Sequence, residues 1–596
     1  MCLKNCSREA AAILEEYSMK NGRKGLLIAG LLIGQIIIFV GAIISSNFYY
    51  QTNDDTTIIA LASGAYGSPS IYLDNIHVFL SYIFKLLFTY LPVVNWITIF
   101  FIIMLFASFF SIDCMAANLM PDSKLSNYLA AFSIIEVCWF LVITYFTFTI
   151  VSYVCGIAGL LCWIYSLFLK TNEKKFFISG AILIFVSTLI RAEVLKSLIL
   201  VLIPVLAFWA YKKKKMVQAA FVAVVPLMAM VVMTAAHTAI YNMNDVQKEF
   251  WQWGEIRSAA VDSAPVDYET YKDEFQQIGV DENIYQMIYN QYYFDYEAVS
   301  KDIFSNLKEM NSATEKYNFN LFEILGELFG IKRGFLYYER FYLILLLGTV
   351  IFALINSRHK KLEILLLVLS TLCTTWLFYF IKRPVYRVIM PNYLLAALLI
   401  LFIILQNAQS EKNSSDSCEN KSKVWNYCAN LIVCILPIMV VVSFGYFNPE
   451  QKLDKVTRHN QERQQIYKYL EANEDKLYLS GNLSVYSIDV CRPVLEFAGQ
   501  NARWNLIGNW ETFSVPYYDL LSHYDIENPD RLALELPDSD TLRIISNQGL
   551  GYIEFASFFD NYIEGITNRC VEIVPEEYIA TLPDGEWWTF RVVYTD

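Results

Sequence analysis

The sequence predicts a mainly helical, polytopic membrane protein carrying a small α/β domain outside the lipid. Three observations predict it. The 596-residue chain is 56% hydrophobic and 17% charged, too apolar for a soluble protein. Its apolar residues come in runs of about twenty, the length that crosses a bilayer as a helix. From residue 448 onward those runs give way to strand-like segments and turn punctuation, the pattern of a soluble domain.

Charge sets the order of the elements. Residues 1–24 carry Lys4, Arg8, Lys20, Arg23 and Lys24, so the N-terminus is read as cytoplasmic. The apolar run that follows, Leu26 to Ser46, lacks a small-residue cleavage site and reads as an uncleaved first helix. Lys174-Lys175, Lys212 to Lys215, Arg358 to Lys361 and Glu411 to Lys423 mark further cytoplasmic junctions. Counting back from Lys212 then leaves both Asn47 and Pro92 to Asn95 outside, so Ile71 to Leu91 cannot be a crossing despite its hydropathy. With Asp74, His77 and Lys85 among its apolar residues, it reads as a helix lying in the interface.

The resulting map has eleven transmembrane helices, near 25–46, 96–112, 128–146, 148–169, 176–190, 194–211, 217–240, 336–357, 362–381, 389–407 and 425–447. The transmembrane domain is thus 25–447, with a first outer loop at 47–95 and a Tyr- and acid-rich outer insertion at 241–335; 448–596 is the extracytoplasmic α/β domain. Within it, Gln461 to Leu470 reads as helix, and Leu477 to Ser480, Leu542 to Ile545 and Thr589 to Tyr594 as strands. A multi-pass protein of the plasma (inner) membrane follows. No basic stripe favours nucleic acid, and the net charge is -12. Of twelve cysteines, most lie in or beside apolar runs, where Cys is a small hydrophobe. Cys491 and Cys570, in the outer domain, are candidates for a disulfide. No Cys/His spacing suits zinc.

Four groups of residues can carry chemistry. Adjacent Asp54 and Asp55 are a candidate base or a ligand pair for a divalent cation such as Mg or Mn; one of them also suits a helix cap before Thr56. Asp74 and His77, one turn apart if helical, can face a site above the membrane or wet the headgroups. Arg191 and Glu193 sit in a tight outer turn, as site residues or as a salt-bridged turn. Lys382, Arg383, Tyr386 and Arg387 break the positive-inside pattern; such cations grip a phosphate or anchor headgroups. No Walker loop, dinucleotide fingerprint or nucleophile elbow is present.

The acidic pair after the first helix, the segment Ser68-Pro69 through His77, the Leu-Ile-Arg-Ala-Glu turn at 189–193 and the basic loop Lys382 to Pro391 together resemble the GT-C superfamily of membrane glycosyltransferases, over roughly residues 25–407. The His-Pro-Pro-Leu form of some relatives is absent. The resemblance implies a polyprenyl-phosphate-linked sugar as donor, a glycan, lipid or protein acceptor, and transfer on the extracytoplasmic face. It also implies that Arg383 and Arg387 hold the phosphate while Asp54 or Asp55 activates the acceptor. Two other classes compete with it. A flippase of lipid-linked oligosaccharide calls for charges deep in the helices, where Glu136 stands alone; a wall-binding surface protein has no use for eleven helices.

Overall fold

A computed structural model describes residues 2–44, 48–120, 125–170, 173–261, 267–289, 292–314, 340–356, 360–380, 385–413, 431, 435–439, 465–466, 468–480, 494, 505–507, 511–547, 552–582 and 585–595. It divides into two compact units: Met1–Phe48, Ile99–Thr234 and Asn320–Lys452 make the first, and Tyr49–Thr98, Ala235–Phe319 and Leu453–Asp596 the second.

The first unit holds most of the apolar helices. Among the described residues, eight helices of the chain are long and apolar enough to cross a membrane. The predicted segments 176–190 and 336–357 are the helices Lys174–Arg191, which begins and ends on charge, and Arg340–Asn356; 425–447 lies mostly outside the described residues. Helix α1 (Cys2–Ile44) lies against α4 (Trp96–Leu119) in the opposite direction, as the contacts of Lys24 with Asn118, of Gln35 with Asp113 and of Phe39 with Phe106 show. It also packs on α5 (Leu125–Thr144).

The core of this unit is α6 (Phe148–Ile164), buried at every residue, together with the helix Tyr386–Asn413, buried from Ile389 to Leu405. Helix α7 (Lys174–Arg191) meets α6 closely because both present glycine. A Cβ on Gly159 would come within 2.9 Å of the Gly180 carbonyl oxygen, and one on Gly180 within 2.8 Å of the Gly159 oxygen. In lipid no hydrophobic force separates helix from tail, so such close packing and interhelical hydrogen bonds decide the pairing. Ser152 and Ser187 supply the bonds: each hydroxyl donates to the other's carbonyl at 2.9 Å.

The second unit gathers nearly the three stretches that the charge reading sets outside. Helix α2 (Asn53–Ser63) ends where Gly64 takes a left-handed conformation, φ 89°, and its N–H returns to the Ala60 carbonyl. Helix α3 (Val78–Tyr90) buries Val78, Leu80, Phe84 and Phe88, and leaves Phe79, Tyr82, Ile83, Leu86 and Tyr90 about half exposed or more. The exposed stripe recurs at three and four residues, which makes one continuous apolar face on a helix.

After α8 (Val194–Lys213) of the first unit, the last turns of α9 (Met216–Tyr241) belong here, and the insertion adds α10 (Asp245–Val261), α11 (Lys272–Gln277), α12 (Glu282–Tyr289) and α13 (Lys301–Thr314). A part-buried ion pair ties the insertion to the C-terminal part: Asp295, fully buried, meets the half-buried Arg531 at 3.3 Å. That part holds a five-stranded mixed sheet in the order β2-β1-β3-β5-β4. Its strands are β1 (Leu477–Ser480), β2 (Leu506–Ile507), β3 (Leu542–Asn547), β4 (Val571–Leu582) and β5 (Gly585–Tyr594). Strands β1 to β3 run parallel, β3, β5 and β4 antiparallel. Pro575 sits on the edge strand β4 beside a register shift, the position where a residue without an N–H costs no ladder bond. Trp587, fully buried, anchors the core with Ile466, Tyr478 and Ile545. Three predicted strands are thus present, in a small sheet that lies within the second unit.

Candidate functional site

The sequence Thr52-Asn53-Asp54-Asp55 starts α2, and the two aspartates part ways there. Thr52 is the N-cap residue, and its hydroxyl donates to Asp55 Oδ2 at 2.7 Å. Thr52 makes no side-chain bond to the free backbone N–H groups of α2, so its hydroxyl serves the Asp55 carboxylate instead of capping the helix. Asp55 is 1% exposed and lies near the Tyr50 hydroxyl, which in turn is 2.7 Å from Thr98 Oγ1. Asp54, half-buried, lies instead within electrostatic reach of Glu511.

Glu511 is the residue that sequence reading missed. It is 3% exposed, and burial pushes its carboxyl up to about 8. The nearby Thr57 side chain and the positive charge of Arg257 pull the other way, while the charge of Asp54 adds to the rise. Each partner comes from a different element: Thr57 one turn on from Asp54 in α2, Arg257 from α10, Glu511 from the C-terminal part. A carboxyl that burial holds protonated near neutral pH can act as an acid or hydrogen-bond donor. Nothing about one glutamate among the chain's 58 acids marks it in the sequence.

Glu511 also lines a narrow crevice of about 10 Å3, room for one water, together with Tyr72, Asp74, Tyr241, Gln247 and Trp251. Asp74 and His77 are therefore neighbours of this site, but not as a helical pair. Asn75 is left-handed at φ 62° and gives its side-chain amide to Asp74, so the chain turns there and α3 starts only after His77. His77 is the cap of α3: its Nδ1 accepts the Phe79 N–H at 3.2 Å. Its ring lies 5.4 Å from that of His237, whose Nδ1 accepts the Val78 N–H, and the Tyr241 hydroxyl donates to the Leu73 carbonyl. The end of α9 thus fixes the loop that carries Asp74.

Beside the crevice, and sharing Phe250 with it, opens a cleft of about 500 Å3 lined by Asp245, Glu249, Trp253, Tyr296, Tyr518 and Asp530 among others. Helix α10 serves both: Gln247 and Trp251 face the crevice, Asp245, Glu249 and Trp253 the cleft.

The remaining sequence candidates lie in the first unit. Arg191 donates to Thr149 Oγ1 at 2.8 Å and covers the Phe148 ring. Glu193 pairs with Lys196 at 3.7 Å rather than with Arg191, so the salt-bridged turn takes a different partner. Tyr386 and Arg387 open the helix Tyr386–Asn413, where the Tyr386 ring lies 4.8 Å from Tyr145. Lys382 and Arg383 fall outside the described residues, as does Cys491 of the expected disulfide.

No family model matches the chain, and no curated protein does. Among solved structures it is similar to ArnT from Cupriavidus metallidurans in the apo state, at 10% identity and a TM-score of 0.35, over 96% of this chain and 98% of that one. The same protein bound to undecaprenyl phosphate gives 10% identity and a TM-score of 0.34. The archaeal oligosaccharyltransferase AglB from Archaeoglobus fulgidus, in complex with an inhibitory peptide and a dolichol-phosphate, gives 11% and 0.32 over 94% of this chain and 74% of that one. Both are GT-C glycosyltransferases. At these TM-scores the likeness carries no inference about individual residues.

Proposed function

We propose that the protein is a membrane glycosyltransferase that moves a sugar from a polyprenyl-phosphate donor to a glycan, lipid or protein acceptor at the outer face of the plasma membrane, with Asp54 as the base. The observation that carries this reading is the place of Asp54 at the start of α2, half-buried and within electrostatic reach of Glu511, whose carboxyl burial pushes up to about 8. The acceptor hydroxyl gives its proton to Asp54 as its oxygen attacks the anomeric carbon. The carbon–oxygen bond to the donor phosphate breaks, and the phosphate leaves with the electron pair. A donor already activated and already in the membrane asks the protein for orientation, charge stabilisation and a base. In this reading Lys382, Arg383 and Arg387 grip the phosphate, and the cleft beside Phe250 receives the acceptor. Its aromatic rings and carboxylates suit the apolar faces and hydroxyls of a sugar.

A divalent cation, Mg or Mn, is the other chemistry open to Asp54. As a ligand, Glu511 would have to release its proton. Purified protein assayed against a panel of polyprenyl-phosphate sugars tests the whole reading; turnover that survives EDTA and is lost in Asp54→Asn supports the base over the metal. Absence of turnover and of donor binding across the panel would remove the enzyme reading. The flippase reading has an observation of its own, because Glu136 is not alone: Asp113 and Gln35 are buried near it. Movement of a lipid-linked oligosaccharide across proteoliposomes without sugar transfer would favour it.

A further inference from the structure

Polar groups among membrane-spanning helices are costly unless they are matched or functional. Three of them meet in the first unit, on spans Lys24–Ile44, Trp96–Leu119 and Asn127–Thr144. Gln35 and Asp113 are fully buried, and Glu136 is 6% exposed. The Gln35 amide nitrogen donates to Asp113 Oδ2 at 2.9 Å, and the Trp139 ring donates to the Gln35 backbone oxygen at 2.9 Å. Glu136 lies one turn before Trp139 on the same face of α5 and sets its carboxylate against Gly34: a Cβ there would stand 2.8 Å from Glu136 Oε1. Its charge is close enough to Asp113 for the two to repel.

Once these bonds are made, Gln35 Oε1, Asp113 Oδ1 and both oxygens of Glu136 have no partner among the described residues. All four are acceptors of hydrogen bonds, or, equally, ligands for a hard cation. Two carboxylates that share a dry site cannot both stay charged without compensation. A proton answers one lone pair and leaves the other oxygens unmatched, whereas a hard cation takes several oxygens at once. The donor set is all oxygen and holds neither thiolate nor imidazole, which disfavours soft metals.

We infer that Gln35, Asp113 and Glu136 form an intramembrane site for a hard monovalent cation of sodium's class, with Gly34 leaving the space that the Glu136 carboxylate occupies. The site stands independently of the proposed transferase activity, and its test does not read activity. Thermal unfolding of the purified full-length protein in detergent is compared in sodium chloride and in choline chloride of equal ionic strength at one pH. The expected result is a Tm that rises with sodium and saturates, because a ligand that binds the folded state stabilises it by mass action. Glu136→Gln should abolish the sodium response, Asp113→Asn should weaken or abolish it, and Gly34→Ala should shift it to higher sodium. If Glu136→Gln does not fold, Asp113→Asn carries the same comparison. Equal sodium responses in wild type and variants, or no response in wild type, would overturn the site. A pH response in choline that Glu136→Gln removes, with no effect of sodium, would also overturn it and assign the pair a proton instead.

Discussion

Asp54 and Asp55 show how two identical neighbours acquire different surroundings from their positions in one helical turn. Asp55, bonded to the cap and buried, holds the start of α2; Asp54 lies near Glu511. Asp54→Asn should therefore lower turnover by roughly 10²- to 10⁴-fold, the contribution of a positioned base, while donor-lipid binding stays close to wild type. Asp55→Asn or Thr52→Ala should chiefly cost stability, on the order of 1 kcal/mol for a lost side-chain hydrogen bond, read as a lower Tm with turnover per folded molecule retained. Loss of turnover in Asp55→Asn with an unchanged Tm would reverse the assignment. Glu511 supplies a pH test. Its folded carboxyl is raised from 4.5 to about 8, so the folded state holds this proton more tightly than the unfolded chain does. The associated stability is complete below about pH 4.5 and is lost as the pH rises through about 8. Glu511→Gln carries no such proton, so its Tm, compared with wild type between pH 5 and 9, should gain progressively toward the alkaline end. A constant difference across that range would show that Glu511 does not hold a proton in this window.

At the scale of elements, the long apolar helices and the strands near 477–480, 542–545 and 589–594 were legible, because period and composition act locally along the chain. The helical pairing of Asp74 with His77 was not, since the left-handed turn at Asn75 belongs to a residue type that tolerates it without demanding it. Glu511, Thr57 and Arg257 were illegible for another reason: they meet across more than four hundred residues, and no local pattern records that. The contacts of Arg191 with Thr149 and Phe148 were illegible as well, because they join two separate helices. Glycines give the sharpest element-scale prediction. Gly180→Ala drives a Cβ to within 2.8 Å of backbone at α6, and overpacking of that kind costs roughly 1–3 kcal/mol. Gly254→Ala on α10 meets nothing within 4 Å and should be neutral or slightly stabilising, since alanine favours the helix by about 0.5–1 kcal/mol. Unfolding midpoints of the two variants should move in opposite directions or, at the least, differ clearly.

For the whole molecule, the decisive quantity is which parts share a side of the membrane. The charge reading sets 47–95, 241–335 and 448–596 outside, and the second unit is assembled from nearly those stretches, 49–98, 235–319 and 453–596. A compact unit split across a bilayer would lose its contacts, so the expected outcome is that these segments share a side. Single cysteines introduced at exposed positions of each segment, for example at Tyr90, Asp245 and Asp530, should all react with a membrane-impermeant thiol reagent in intact cells, after the resident exposed thiols are replaced. A cysteine at Lys212 should react only after permeabilisation, because the Lys212 to Lys215 run resists translocation. Tyr90 is the sharpest of the three, at the end of α3 with 78% of its surface exposed. Were position 90 protected while 245 and 530 react, Ile71 to Leu91 would be a crossing after all, and the outer placement of Asp54 would have to be argued again.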